Sequence, residues 1–285
     1  MSKIEMLFDA LLENVALHAP GTKVYGLLKE FARQEIEKRF SGAEPVPAEL
    51  GRLGEICLPY HGMGAVDSLD LFGLDELIIL LFYWCKRGRY RRVVDIGANL
   101  GLHTIVLARC GFDVTAFEPD PVHFEILQRN LALNGIAGVD LRSAAVSVKA
   151  GEAMFVRVLG NTTGSHLQGS KDSYGEREYF PVKVESVKPL FGWADFIKID
   201  AEGHERQILL STGAEDWART EAIVEVGNES NACVIFEHLT AMGVGLFAQQ
   251  KGWQKVERVE EVPTSHRQGS LFISRADRMP WPSSR

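Results

Sequence analysis

A chain of 285 residues, 46% of them hydrophobic, can form one large core or two small ones. Its formal charge of −7 argues against a nucleic-acid partner, and its one basic run, Lys86 to Arg92, reads as a solvated helix end. The four cysteines (Cys57, Cys85, Cys110, Cys233) have no zinc spacing. No apolar run approaches the roughly 20 residues of a membrane span, so the expectation is a cytoplasmic protein with reduced, buried thiols.

In chain order, the first ninety residues read as a helical extension. Ile4, Leu7, Phe8, Leu11, Leu12 and Val15 recur at helical spacing until Pro20-Gly21. A second helix is expected from about Val24 to Phe40, closed by Ser41-Gly42 and the prolines at 45 and 47. Residues 56–64 look irregular. A third helix, about Leu74 to Lys86, is apolar on most faces and should be buried.

From Arg91 to about residue 277 strands and helices alternate. Strands are expected at Arg92–Ile96, Val114–Glu118, Val139–Val146, Phe196–Asp200 and Ala222–Val226, with helices at about Leu102–Cys110, Pro121–Leu133, His204–Gly213 and Ala232–Met242. Ala153–Leu159 and Phe180–Val187 have period-2 character and read as an inserted antiparallel pair. The polar loop between them, Asn161–Gly175, is a candidate cover over a site. Gly245–Gln249, Gln254–Glu260 and Ser270–Ser274 read as further strands, and 278–285 as a tail. Such alternation predicts an α/β fold with a mostly parallel, helix-flanked sheet.

The stretch Val93-Val94-Asp95-Ile96-Gly97-Ala98-Asn99-Leu100-Gly101 is a buried strand running into a glycine turn and a helix, the layout of a nucleotide-binding unit. Gly97 can take a backbone conformation closed to other residues, and Gly101 should let helix and ligand approach. The Gly-x-x-x-Gly spacing lacks the triple-glycine cradle that a pyrophosphate needs. Glu118 ends the next strand, 23 positions after Asp95; a carboxylate there can accept both hydroxyls of a ribose. Asp95 is a candidate partner for an amino group or a cap of the adjoining helix.

The turn resembles motif I of the class I S-adenosylmethionine (SAM) methyltransferases. With Phe117-Glu118-Pro119-Asp120-Pro121 and Phe196-Ile197-Lys198-Ile199-Asp200-Ala201-Glu202-Gly203-His204-Glu205, it is similar to the FkbM-type family over about Val93 to Val226. The resemblance implies a Rossmann-like, seven-stranded methyltransferase fold, SAM as cofactor, and usually O-methylation of a hydroxyl on a small molecule, sugar or glycan. It places the donor on Asp95, Gly97, Ala98, Asn99, Gly101, His103 and Thr104. The ribose falls near Glu118, Pro119 and Asp120, and the adenine near Ser143, Ala144 and Ala145. Asp200 would face donor or substrate.

Catalysis needs the reactants aligned and a base for the hydroxyl proton. Asp200, Glu202 and His204 are the candidates, His204 for its pKa near neutrality. Asp200, Glu202 and Glu225 also carry oxygens suited to Mg²⁺, but without diagnostic spacing, so no metal is expected. A catalytically silent SAM- or nucleoside-binding module is the first rival reading and a NAD-linked dehydrogenase the second. The first ninety residues are expected to roof the site; homo-oligomerisation stays open.

Overall fold

The N-terminal helices form for local reasons. Ser2 accepts the amide of Glu5 and caps α1 (Lys3–Glu13), which buries Ile4, Leu7, Phe8 and Leu11. Thr22 caps α2 (Lys23–Phe40) through the amide of Tyr25. A two-residue antiparallel ladder of β1 (Ala48–Glu49) and β2 (Glu55–Ile56) comes next. It leads to α3 (Leu74–Cys85), buried continuously from Leu77 to Tyr83. The computed structural model describes residues 1–172 and 175–281. Positions 173 and 174 of the expected polar loop and 282–285 of the expected tail lie outside the described residues.

The alternating segment comprises β3 (Arg92–Ile96), α4 (Leu102–Arg109), β4 (Asp113–Phe117), α5 (Pro121–Leu133) and β5 (Asp140–Arg142). The chain then enters a second sheet: β6 (Ala145–Ser147), β7 (Gly151–Val158), β8 (His166–Leu167) and β9 (Arg177–Ser186). It returns through α6 (Lys188–Trp193), β10 (Phe196–Ile199), α7 (Glu205–Leu210), β11 (Glu221–Val224) and α8 (Glu229–Ala241). It ends with β12 (Gly245–Ala248), β13 (Gln254–Lys255) and β14 (Leu271–Ser274).

The main sheet has the order β13-β12-β14-β11-β10-β3-β4-β5. Strands β11, β10, β3, β4 and β5 pair in parallel, and β14 runs antiparallel to β11 and β12. This is the expected mostly parallel, helix-flanked sheet, with the two-residue β13 added at one edge as an eighth strand. Its two faces bury separate cores. Val93, Phe196 and Ile223 pack with α1–α5, while Val94, Ile197 and Val224 pack with α6–α8. The N-terminal helices therefore share one face of the sheet with α4 and α5.

Two expected strands need correction. Residues 139–146 are not one strand. At the sheet edge the Ala144 amide turns back to the Arg142 carbonyl, 2.9 Å away. Ala145–Ser147 then pair in parallel with β9 in the second sheet. Residues 254–260 keep strand geometry only over Gln254–Lys255. The Glu261 carboxylate accepts the amides of Glu257 and Arg258, and Val259–Glu261 close as a 3₁₀ turn. The inserted antiparallel pair is present, with β7 and β9 in register from Gly151↔Val184 to Val158↔Arg177.

Candidate active site

Parallel register sets the site. Arg142, Phe117, Ile96, Ile199 and Val224 pair in sequence across five strands. One step further, Ser143, Glu118, Gly97, Asp200 and Glu225 therefore form a row along the carboxyl edge, where ligands of open parallel sheets collect. A cavity opens over the middle of this row and is lined by Glu118, Gly97 and Asp200; Ser143 and Glu225, at its two ends, do not line it.

The glycine turn is built tightly. Gly97 has φ +78° and Asn99 φ +51°, and the amides of Gly97 and Ala98 both donate to the Phe117 carbonyl. A methyl group on Gly97 would overlap the Asp200 carbonyl oxygen. Gly101 serves a different end from the one its spacing suggests. Its missing side chain makes room for Leu127 of α5, so it brings two helices together. Asn99 lines the cavity, and its Oδ1 is buried without a hydrogen-bond partner among the described residues. That orphaned acceptor suits an ammonium or hydroxyl of a ligand.

Glu118 lies at the cavity wall, 5% exposed. Its carboxylate accepts the amides of Asn99 and Asp120, each at 2.8 Å. Burial pushes its pKa up to about 8 against those two bonds. Pro119, Asp120, Ala144 and Ala145 also line the cavity. Asp120 caps α5 through the Val122 amide and takes a two-pronged ion pair from Arg157 of β7, at 2.7 and 2.6 Å. That pair fastens the second sheet over the cavity. Phe155, Thr162, His166 and Leu167 complete the wall on that side.

Other expected contact residues lie behind the wall. Asp95 is fully buried; it accepts the Thr104 hydroxyl at 2.7 Å and stands 3.5 Å from the Lys198 ammonium. Ala98 and Ser143 do not line the cavity, and neither does His103, which Tyr83 binds at one ring nitrogen and Glu76 at the other.

Asp200, Glu202 and His204 all line the cavity. Asp200 pairs with Lys198 at 3.2 Å. Glu202 sits at φ +50°, an unfavourable conformation for its type, and pairs with Lys171. Burial and then Asp200 push its pKa up to about 7, Lys171 opposing. His204 bonds Ser147 through one ring nitrogen and Ser170 through the other, and burial lowers its pKa. With both nitrogens engaged, it is poorly placed to receive a proton directly. Glu205 accepts the Ala201 and Gly203 amides, and burial raises it to about 7. Among the described residues no group of three or more His, Cys, Asp or Glu is arranged to hold a metal ion.

Sequence reasoning passed over Lys198. It is 9% exposed in a central strand and donates to the Gly97 carbonyl at 2.9 Å. Burial works against its charge, but Asp200, Asp95 and Glu76 hold its pKa above the ordinary value. A lysine amid buried strand residues was itself the signal, because such a charge needs partners. Phe155 and His123, which also line the cavity, were missed for lack of a local cue.

The raised carboxyls have a measurable consequence. A group that binds its proton more tightly when folded gives stability that is fully present below its unfolded pKa and lost as pH rises through its folded pKa. His18 and His123, lowered to about 4 by burial, act oppositely, but only below about pH 6.5. Between pH 6.5 and 8 the ligand-free protein should therefore lose roughly 2–3 kcal/mol, the largest single share through Glu118. Urea denaturation of wild type and Glu118→Gln at both pH values checks this. The variant should be weaker throughout, since its amide faces a backbone N–H, but its pH slope should be flatter.

A family profile described as Methyltransferase FkbM domain matches residues 95–246. Methyltransferase sdnD of Sordaria araneosa is 30% identical over 166 residues, covering 46% of this chain and 64% of that protein. The 31-O-demethyl-FK506 methyltransferase FkbM of Streptomyces tacrolimicus is 30% identical over 166 residues, covering 46% and 63%. The match thus spans just under two thirds of either relative. A ribosomal protein L11 methylase from Lactobacillus delbrueckii subsp. bulgaricus is 15% identical with a TM-score of 0.38, over 70% of this chain and 78% of the other. No helix among the described residues is long and apolar enough to cross a membrane.

Proposed function

The chain belongs to the FkbM methyltransferase domain family, and from that premise we propose that it methylates a hydroxyl of a small molecule or sugar, with SAM as donor. The observation that carries this reading is Glu118. It is a buried carboxylate in the cavity wall, one strand from the glycine turn, and two backbone amides use only part of its capacity to accept hydrogen bonds. A ribose offers the two hydroxyl donors that such a group can take. Asn99 and the Gly97 turn are suited to the amino-acid end. Ala144, Val146 and Phe155, all on the cavity wall, are suited to an apolar ring.

When bound, SAM supplies an electrophilic methyl group. The chain's own part is to fix the acceptor oxygen in line with it and to keep water out. Asp200, anchored by Lys198, stands on the side of the glycine turn away from Glu118, where the acceptor would lie. One relative is named for a 31-O-demethyl substrate, which supports oxygen as the accepting atom.

Calorimetric titration tests the donor assignment. S-adenosylhomocysteine (SAH) should bind, and NAD(H) binding tighter than SAM would overturn the reading. Glu118→Ala should weaken SAH by roughly 1–3 kcal/mol. An unchanged affinity would remove Glu118 from the site.

A further inference from the structure

Resting on SAM as the donor, we propose that Glu225 is the carboxylate that takes the proton of the acceptor hydroxyl. The main-sheet register supports this. Ile96, Ile199 and Val224 are direct neighbours on β3, β10 and β11, so Gly97, Asp200 and Glu225 succeed one another along the carboxyl edge. The row runs from Ser143 and Glu118 through the glycine turn to Glu225. Glu225 therefore stands at the end opposite the ribose, one strand beyond Asp200, which is the last residue of the row to line the cavity.

Its surroundings single it out by elimination. Asp95 is engaged by Thr104, Asp200 by Lys198, and Glu202 by Lys171. Glu205 caps two amides and Glu76 holds His103. Glu225 is half-buried and makes no hydrogen bond or ion pair among the described residues. Burial, then Asp200, Glu76, Glu202 and Glu205, hold its pKa well up, and Lys198 is the buried cation nearest this group of acids. Once ionised, a carboxyl in that field is a stronger base than a surface glutamate.

The step balances. The acceptor oxygen forms a bond to the methyl carbon, the carbon–sulfur bond breaks with its electron pair left on sulfur, and the hydroxyl proton passes to the Glu225 carboxylate. No metal or redox partner is needed.

The test needs no knowledge of the acceptor. Sinefungin carries an amine-bearing carbon where SAM has its methylsulfonium, so it places a cationic donor on the acceptor side; SAH has no such group. Wild type should prefer sinefungin to SAH. Glu225→Gln should cut that preference about tenfold while leaving SAH affinity within about twofold, and Glu225→Asp should restore part of it. A sinefungin-to-SAH ratio in Glu225→Gln equal to that of wild type, with SAH still bound, would overturn the assignment of Glu225 alone. Failure of wild type to bind either compound would overturn the donor reading and this one with it.

Discussion

Replacing Gly97 with alanine is expected to abolish donor binding and to lower the melting temperature by several degrees. Two costs combine. At φ +78° a side chain adds left-handed strain of roughly 1–2 kcal/mol. The added methyl also falls on the Asp200 carbonyl oxygen, so β3 and β10 must separate where the site's row is tightest. The Phe117 carbonyl, which accepts the Gly97 and Ala98 amides, would lose its geometry too. A displacement of 1 Å at such a centre can cost about 100-fold in rate. Gly111→Ala is the control. Gly111 has φ +83° but open space where its methyl would go, so that variant should show the strain alone and bind SAH normally. Equal SAH binding by Gly97→Ala and Gly111→Ala would show that the close approach to Asp200 is unimportant.

Lys198→Met should be the most destabilising single change in the site. The hydrophobic stem has a near-isosteric replacement, so packing survives. The loss is the cation between Asp95, 3.5 Å away, Asp200, 3.2 Å away, and the Gly97 carbonyl. Asp95 is fully buried, and stripping a buried charge of its partner costs about 3–5 kcal/mol. For a chain of this size that is a fall in melting temperature on the order of 10 °C. The double variant Lys198→Met, Asp95→Asn should recover much of it, because the amide keeps an acceptor for Thr104 and carries no charge. No recovery in thermal denaturation would mean that the lysine acts through Asp200 or Gly97 alone.

Much of the site was legible in the sequence because it is local. Alternating apolar runs marked the strands, and Gly97, Glu118 and Asp200 sat at their ends. The illegible features depend on partners far along the chain. Nothing at Ser143 announces that β5 leaves the main sheet, since 139–142 and 145–147 share one apolar pattern. Gly101 faces Leu127, 26 positions away. His103 looked like a ligand contact because it comes just after the turn, but its orientation is set by Tyr83 and Glu76 on α3. The row from Ser143 to Glu225 exists only once five strands are in register.

The part that the N-terminal helices take in covering one sheet face bears on how this protein can be divided. The stretch shared with the family, residues 95–246, lacks α1–α3, which bury much of that face together with α4 and α5. It also lacks β14, which lies between β11 and β12. Cut out alone, it would leave a gap inside the sheet and an apolar surface facing water. The part matched by the family profile is thus smaller than the part whose core and sheet are continuous, so a functional unit of this protein has to include both flanking segments.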